Sequence, residues 1–155
     1  MHSLQDMSVQ PEQSKWLWLS SWLNAVSLCG ALLVHADDLA LLAALVLTTS
    51  LNYWRKPDYG WRRYMDIVVV QLALWWLSLR NLDTLEPYRT VAFLILLIMV
   101  GTFVTSMLYR NHVKFSTTLH MLVHLFGNVA SLFVYSGGLP HTCEASVVLA
   151  LGYIC

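Results

Sequence analysis

Charged side chains are scarce in this chain. Asp, Glu, Lys and Arg make up 12% of its 155 residues, against about a quarter in soluble domains. The 9 basic and 9 acidic residues cancel at pH 7, so no field of one sign exists to steer a polyanion. Zinc-finger spacing, a Walker loop and a dinucleotide fingerprint are also missing. Nucleic acid is therefore not an expected partner. Cysteines are few: Cys29, Cys143 and Cys155 are odd in number and scattered, which gives no disulfide framework. A secretory signal is not expected either, because the apolar run from Trp16 lacks a convincing cleavage site. Without an internal repeat or a low-complexity linker, residues 1–155 read as one domain, with residues 1–15 a polar cytosolic segment.

What the chain has in quantity is apolar sequence: 57% of its residues, with a mean hydropathy of +0.58. A hydrocarbon core about 30 Å thick takes roughly 20 helical residues to cross. Five segments approach that length: 16–34, 38–54, 62–80, 91–109 and 117–136. The third needs Arg62 and Arg63 to snorkel from its first turn. The final eleven residues, ASVVLALGYIC, are apolar but short, and read as a re-entrant piece, a packed lid or a truncated sixth helix. The connections HADD and RKPDYGW are short, as antiparallel neighbours require, and Pro57 and Gly60 mark the second as a turn. The fold class is all-α, a polytopic membrane bundle of five spans with room for a short sixth.

Alternating spans put Lys15, Arg55, Lys56, Arg62, Arg63, Arg110 and Lys114 on one side and only Arg80 and Arg89 on the other. The excess of positive charge marks the cytosolic side, which places the N-terminus there. Trp16, Trp18, Trp54 and Trp61 then fall near the cytosolic interface, where indoles prefer to sit.

Polar residues inside the spans usually face the bundle interior. Ser20, Asn24 and Ser27 share a face of the first span, and Thr102, Thr105, Ser106 and Tyr109 share one on the fourth. His120, His124, Asn128, Ser131 and Tyr135 make the longest stripe, on the fifth. Under the topology above, Ser50, Asp66, His120 and His124 lie at similar depth, within a turn or two of each other. Two imidazoles at i and i+4 can ligate one zinc ion. They can equally be polar contacts between helices, with Asp66 paired to Arg62 one turn away and Gly127 and Ser131 favouring close helix packing. Haem fits poorly, since two histidines so spaced on one helix cannot supply both axial positions.

The order S-x-x-x-W-x(11)-D, formed by Ser50, Trp54 and Asp66, followed by H-x-x-x-H at His120 and His124, resembles the CREST superfamily of membrane hydrolases, which includes alkaline ceramidases and the progestin and adipoQ receptors. The resemblance implies a zinc-dependent lipid amide hydrolase. His120 and His124 would be zinc ligands, Asp66 would orient or deprotonate the zinc-bound water, and Ser50 would either hold the metal-site groups in place or support the oxyanion. Two departures stand out. Trp54 occupies the position of the family's third histidine, and five or six spans replace seven. His112 could substitute only if a broken or looped segment brought it in, because it lies eight residues before His120.

Two other classes of function compete. A scaffold or accessory subunit would use its helix faces to bind other membrane proteins or itself, and a transport or channel component would line a path with the Ser, Thr and Asn stripes as an oligomer. Membrane lipids are expected partners in every case. His35, Asp37, Asp38, Asp83, Glu86, His141, Cys143 and Glu144 gather at the opposite, non-cytosolic end and read as a solvated rim.

Overall fold

The computed structural model describes residues 11–58 and 60–138. Six helices follow in order: α1 (Pro11–Ser21), α2 (Asn24–Leu33), α3 (Asp37–Arg55), α4 (Trp61–Asn81), α5 (Tyr88–Leu108) and α6 (Val113–Ser136). Every regular element among the described residues is a helix, as the composition predicts. The apolar segment 145–155 lies outside the described residues.

The first rod starts earlier than hydropathy predicts. Among the described residues α1 runs from Pro11, so its helical bonding reaches back beyond the apolar run that begins at Trp16. α1 and α2 then form one rod with a break at Trp22 and Leu23. Its cause is local. Ser20 and Ser21 both donate their hydroxyls to the Leu17 carbonyl (3.0 and 2.8 Å), and Asn24 Nδ2 donates to the Ser21 carbonyl (3.1 Å). Side chains that bond back to the ladder in this way bend helices, and the backbone tightens there to i, i+3 bonds from Trp22 to Leu19 and from Leu23 to Ser20.

Three rods are long and apolar enough to cross a membrane: Pro11–Leu33, Tyr88–Leu108 and Val113–Ser136. α3 and α4 are apolar mainly in their middles. Asp37 and Asp38 open α3 and Arg55 closes it, while α4 carries Arg62, Arg63, Asp66 and Arg80. Large apolar side chains such as Leu33, Trp75 and Leu94 point outward, a surface suited to lipid.

The rods form an open ring in the order α4, α3, α1/α2, α6, α5. α5 and α6 share the most extensive interface, whereas α4 touches α5 and α6 only sparsely. The first rod and α6 approach closely because Gly30 has no side chain: a Cβ there would stand 3.0 Å from Cδ2 of Tyr135. Ala31, Ala92, Ala130 and Val134 are fully buried, small residues of the kind that let membrane helices pack. At the turn joining α5 and α6, Ser106 Oγ donates to the Ser116 carbonyl (3.0 Å) and Ser116 Oγ to the Ser106 carbonyl (2.9 Å).

The opposite end is tied by polar contacts. Asp38 accepts from Trp76 Nε1 (2.7 Å) and pairs with Arg80 (3.2 Å), which also reaches Asp83 (3.3 Å). Asn81 Nδ2 donates to the Arg89 carbonyl (3.0 Å), holding the end of α4 to the start of α5. The amide of Leu85 donates to the Gly137 carbonyl (2.9 Å). Asp38 and Asp83 of the expected rim thus pair with Arg80, and Glu86 pairs with Arg89 (2.9 Å). His141, Cys143 and Glu144 lie outside the described residues.

Candidate functional site

The open ring of rods surrounds a cavity of about 1010 Å³ that is lined by all of them, Leu17 and Asn24 of the first rod included, at the upper end of the roughly 300–1,000 Å³ range of small-molecule sites. Its walls are mostly apolar, with Leu39, Leu77 and Tyr135 towards one end. Ser50, Asp66, His120 and His124 all line the other part of the same cavity. The alternation of the rods brings the end of α3, the start of α4 and the first turns of α6 to the same end of the bundle, where Ser50 bonds to Asp66 and the ring of His120 packs against that of His124.

Asp66 is buried and accepts at one oxygen from two hydroxyls of α3, Ser50 Oγ at 2.6 Å and Thr49 Oγ1 at 3.2 Å. The ion pair with Arg62 does not form; the neighbouring helix supplies the donors instead. A carboxylate bound by hydroxyls on the next helix holds α3 and α4 together, and Thr49 was not singled out by its sequence context.

His120 and His124 lie edge to face, with ring centroids 5.2 Å apart. Aromatic rings flank His120: Trp54 at 5.3 Å and Phe103 at 6.1 Å. Trp54 is not an interface anchor but is buried, packed with Leu17 and Tyr53. Its indole N–H has no acceptor among the described residues. Trp16 and Trp61 are exposed, as interfacial indoles would be.

His124 Nδ1 lies 2.8 Å from Ser20 Oγ. One turn on, Asn128 accepts from Ser27 Oγ (2.5 Å) and donates to the His124 carbonyl (2.7 Å) and to Asn24 Oδ1 (3.4 Å). The polar face of the first span thus meets the polar stripe of α6, and the two rods run parallel. Thr102 and Thr105 instead bond to carbonyls of their own helix (both 2.8 Å).

Zinc sites take three or four protein ligands at about 2.0–2.3 Å. Among the described residues no three His, Cys, Asp or Glu side chains are grouped to hold a metal. The donor set is a pair of imidazoles, and Asp66 is engaged by hydroxyls. His112 is exposed at the start of α6, its ring 6.1 Å from that of Tyr109, and does not line the cavity. The side chains present do not by themselves complete a zinc site. No family model, curated protein or solved structure matches the chain.

Proposed function

We propose that this chain is a five-span membrane protein, N-terminus in the cytosol, that holds an amphiphilic lipid in the cavity within the ring of rods. The observation that carries the reading is the cavity itself: one space of about 1010 Å³ with apolar walls and a polar level made by Ser50, Asp66, His120 and His124. Acyl chains suit the walls, and a carbonyl or hydroxyl linkage suits the polar level. The orientation rests on seven of the nine Lys and Arg residues falling at the end where α1, α4 and α6 begin.

Two experiments test it. Detergent-purified protein analysed by native mass spectrometry should carry a bound amphiphile, and Ala73→Phe, which adds a ring on the cavity wall, should remove it while the protein stays folded. Retention of the same lipid by the filled variant would sink the reading. For topology, single cysteines at Lys56 and Asp83 in a Cys29→Ser/Cys143→Ser/Cys155→Ser background should differ. A membrane-impermeant maleimide should label position 83 from outside and position 56 only after permeabilisation.

A second reading is the zinc-dependent lipid amide hydrolysis that the CREST resemblance implies. The gathering of its four expected residues on one cavity favours it, and it needs a third donor beyond the two imidazoles. Elemental analysis of protein purified without chelator decides between the two. Near-stoichiometric zinc that disappears in a folded His120→Ala/His124→Ala variant supports hydrolysis, with ceramide-like amides as the substrates to try. No metal in either sample leaves lipid binding without catalysis.

A further inference from the structure

A carboxamide stands in the middle of α4. Gln71 is at the midpoint of this 21-residue helix, it is exposed, and its side chain makes no hydrogen bond among the described residues. The polar groups nearest to it on α4 are engaged: Asp66 accepts from Ser50 and Thr49, and Ser78 donates to the Leu74 carbonyl (2.8 Å). Gln71 reaches the rim of the cavity where α4 and α5 part, and there α5 presents only apolar side chains such as Val100 and Met107. Hydrocarbon offers no partner either, and a polar group left without one is costly there. The carboxamide also falls on a regular seam. Tyr64, Val68, Gln71, Trp75 and Leu82 follow one another at steps of four, three, four and seven residues, the heptad spacing along which one helix packs against another. Tyr64, Val68, Trp75 and Leu82 are 67%, 52%, 61% and 63% exposed. On the helical wheel this seam lies opposite Ala73 and Leu77, which line the cavity.

We infer that α4 is the contact face of a parallel homodimer, in which Gln71 of each copy donates its Nε2–H to the Oε1 of the other across a two-fold axis normal to the membrane. The inference rests on the five-span reading above, because the seam needs α4 in hydrocarbon, and it adds the partner. Self-complementarity selects a second copy. A carboxamide carries both a donor and an acceptor, and a two-fold axis brings identical positions together, so the pair satisfies itself twice. Any other partner would need a matching polar group at the same depth, which a second copy has by symmetry. A single polar residue in an apolar heptad seam also fixes the register of the two helices. Tyr64 and Trp75 supply packing area on either side of it.

The test uses the full chain in liposomes. In the Cys29→Ser/Cys143→Ser/Cys155→Ser background, Val68→Cys, on the seam, should form an intermolecular disulfide under a mild oxidant. Met65→Cys, 46% exposed but about a quarter-turn off the seam, should form several-fold less. Energy transfer between donor-labelled and acceptor-labelled chains, diluted with lipid, gives the dissociation constant. Hydrogen bonds between membrane helices are worth about threefold each, so Gln71→Leu should raise that constant about tenfold for the reciprocal pair. Gln71→Asn, which keeps the carboxamide, should keep much of the dimer. Gln71→Leu removes no bond within the chain, so its thermal midpoint at high dilution should not fall, which separates lost association from lost folding. Equal crosslinking at positions 65 and 68 would overturn the inference in favour of random collision. Association unchanged in Gln71→Leu, with the bound amphiphile lost, would overturn it in favour of a role for Gln71 inside the cavity. The maleimide labels at positions 56 and 83, which flank α4, tell the two readings apart. Both labels on one side remove the five-span reading and the dimer with it, whereas opposite sides with a monomer at every dilution remove the dimer alone.

Discussion

Ser50 shows how much rests on one hydroxyl. Its proton is given to a buried carboxylate at 2.6 Å, and Thr49 supports the same oxygen at the longer distance of 3.2 Å. Removing it leaves a buried acceptor partly unsatisfied, which costs about 1–3 kcal/mol. Ser50→Ala should therefore lower the unfolding midpoint in detergent, and Ser50→Ala/Asp66→Asn should fall short of the sum of the single changes because the two residues are in contact. Gly30 is the steric counterpart. With a Cβ already 3.0 Å from the Tyr135 ring, Gly30→Leu forces the first rod away from α6, and overpacking of this sort costs typically about 1–3 kcal/mol; reduced thermal stability with intact helicity is the expected result. Ser50, Asp66, His120 and His124 were legible in the sequence because polar residues in apolar runs are conspicuous. Their partners were not. Thr49 sits in an ordinary run of hydroxyl residues, and Trp54 carries no local mark that distinguishes a buried ring over His120 from an interfacial anchor.

At the scale of helices, hydropathy located five rods but placed several of their starts too late. Polar opening turns such as those of α1 and α6 are helical through backbone bonding, which hydropathy does not measure. The break at Trp22 and Leu23 was hidden for the same reason: it comes from hydroxyls bonding back to Leu17, while the apolar run continues through it. The start of α5 offers a pH test. Glu86 accepts from Thr90 Oγ1 (2.7 Å) and from Arg89 Nε (2.9 Å). The Thr90 hydroxyl first, and then Arg89, hold its carboxyl below the ordinary 4.5. A depressed folded-state value means the contribution is complete above the ordinary value and is lost as pH falls through the lower one. Glu86→Gln should therefore be less stable than the parent chain at neutral pH, and the difference should shrink to nothing at pH values well below 4.5. Thermal unfolding of both proteins across that range checks it, and a difference that grew on acidification would contradict the bonding described.

For the whole molecule, the decisive feature is the seam between the first rod and α6, where Ser20 meets His124, and Ser27 and Asn24 meet Asn128. A double-mutant cycle on Ser27→Ala and Asn128→Ala should give a coupling of about 0.6 kcal/mol, with about 1.7 as the upper end seen for such pairs in membranes. The faces that form the seam were readable one helix at a time; their pairing was not, because parallel contact between distant rods leaves no local pattern. The seam also imposes an order of events during synthesis. Ser20 and His124 are 104 residues apart, so the first rod emerges and inserts long before its complement exists. Until α6 arrives, Ser20, Asn24 and Ser27 have no side-chain counterpart across that face. Closure of the seam therefore waits for the last of the described helices, and a chain cut short before α6 leaves that polar face of the first rod without its partner.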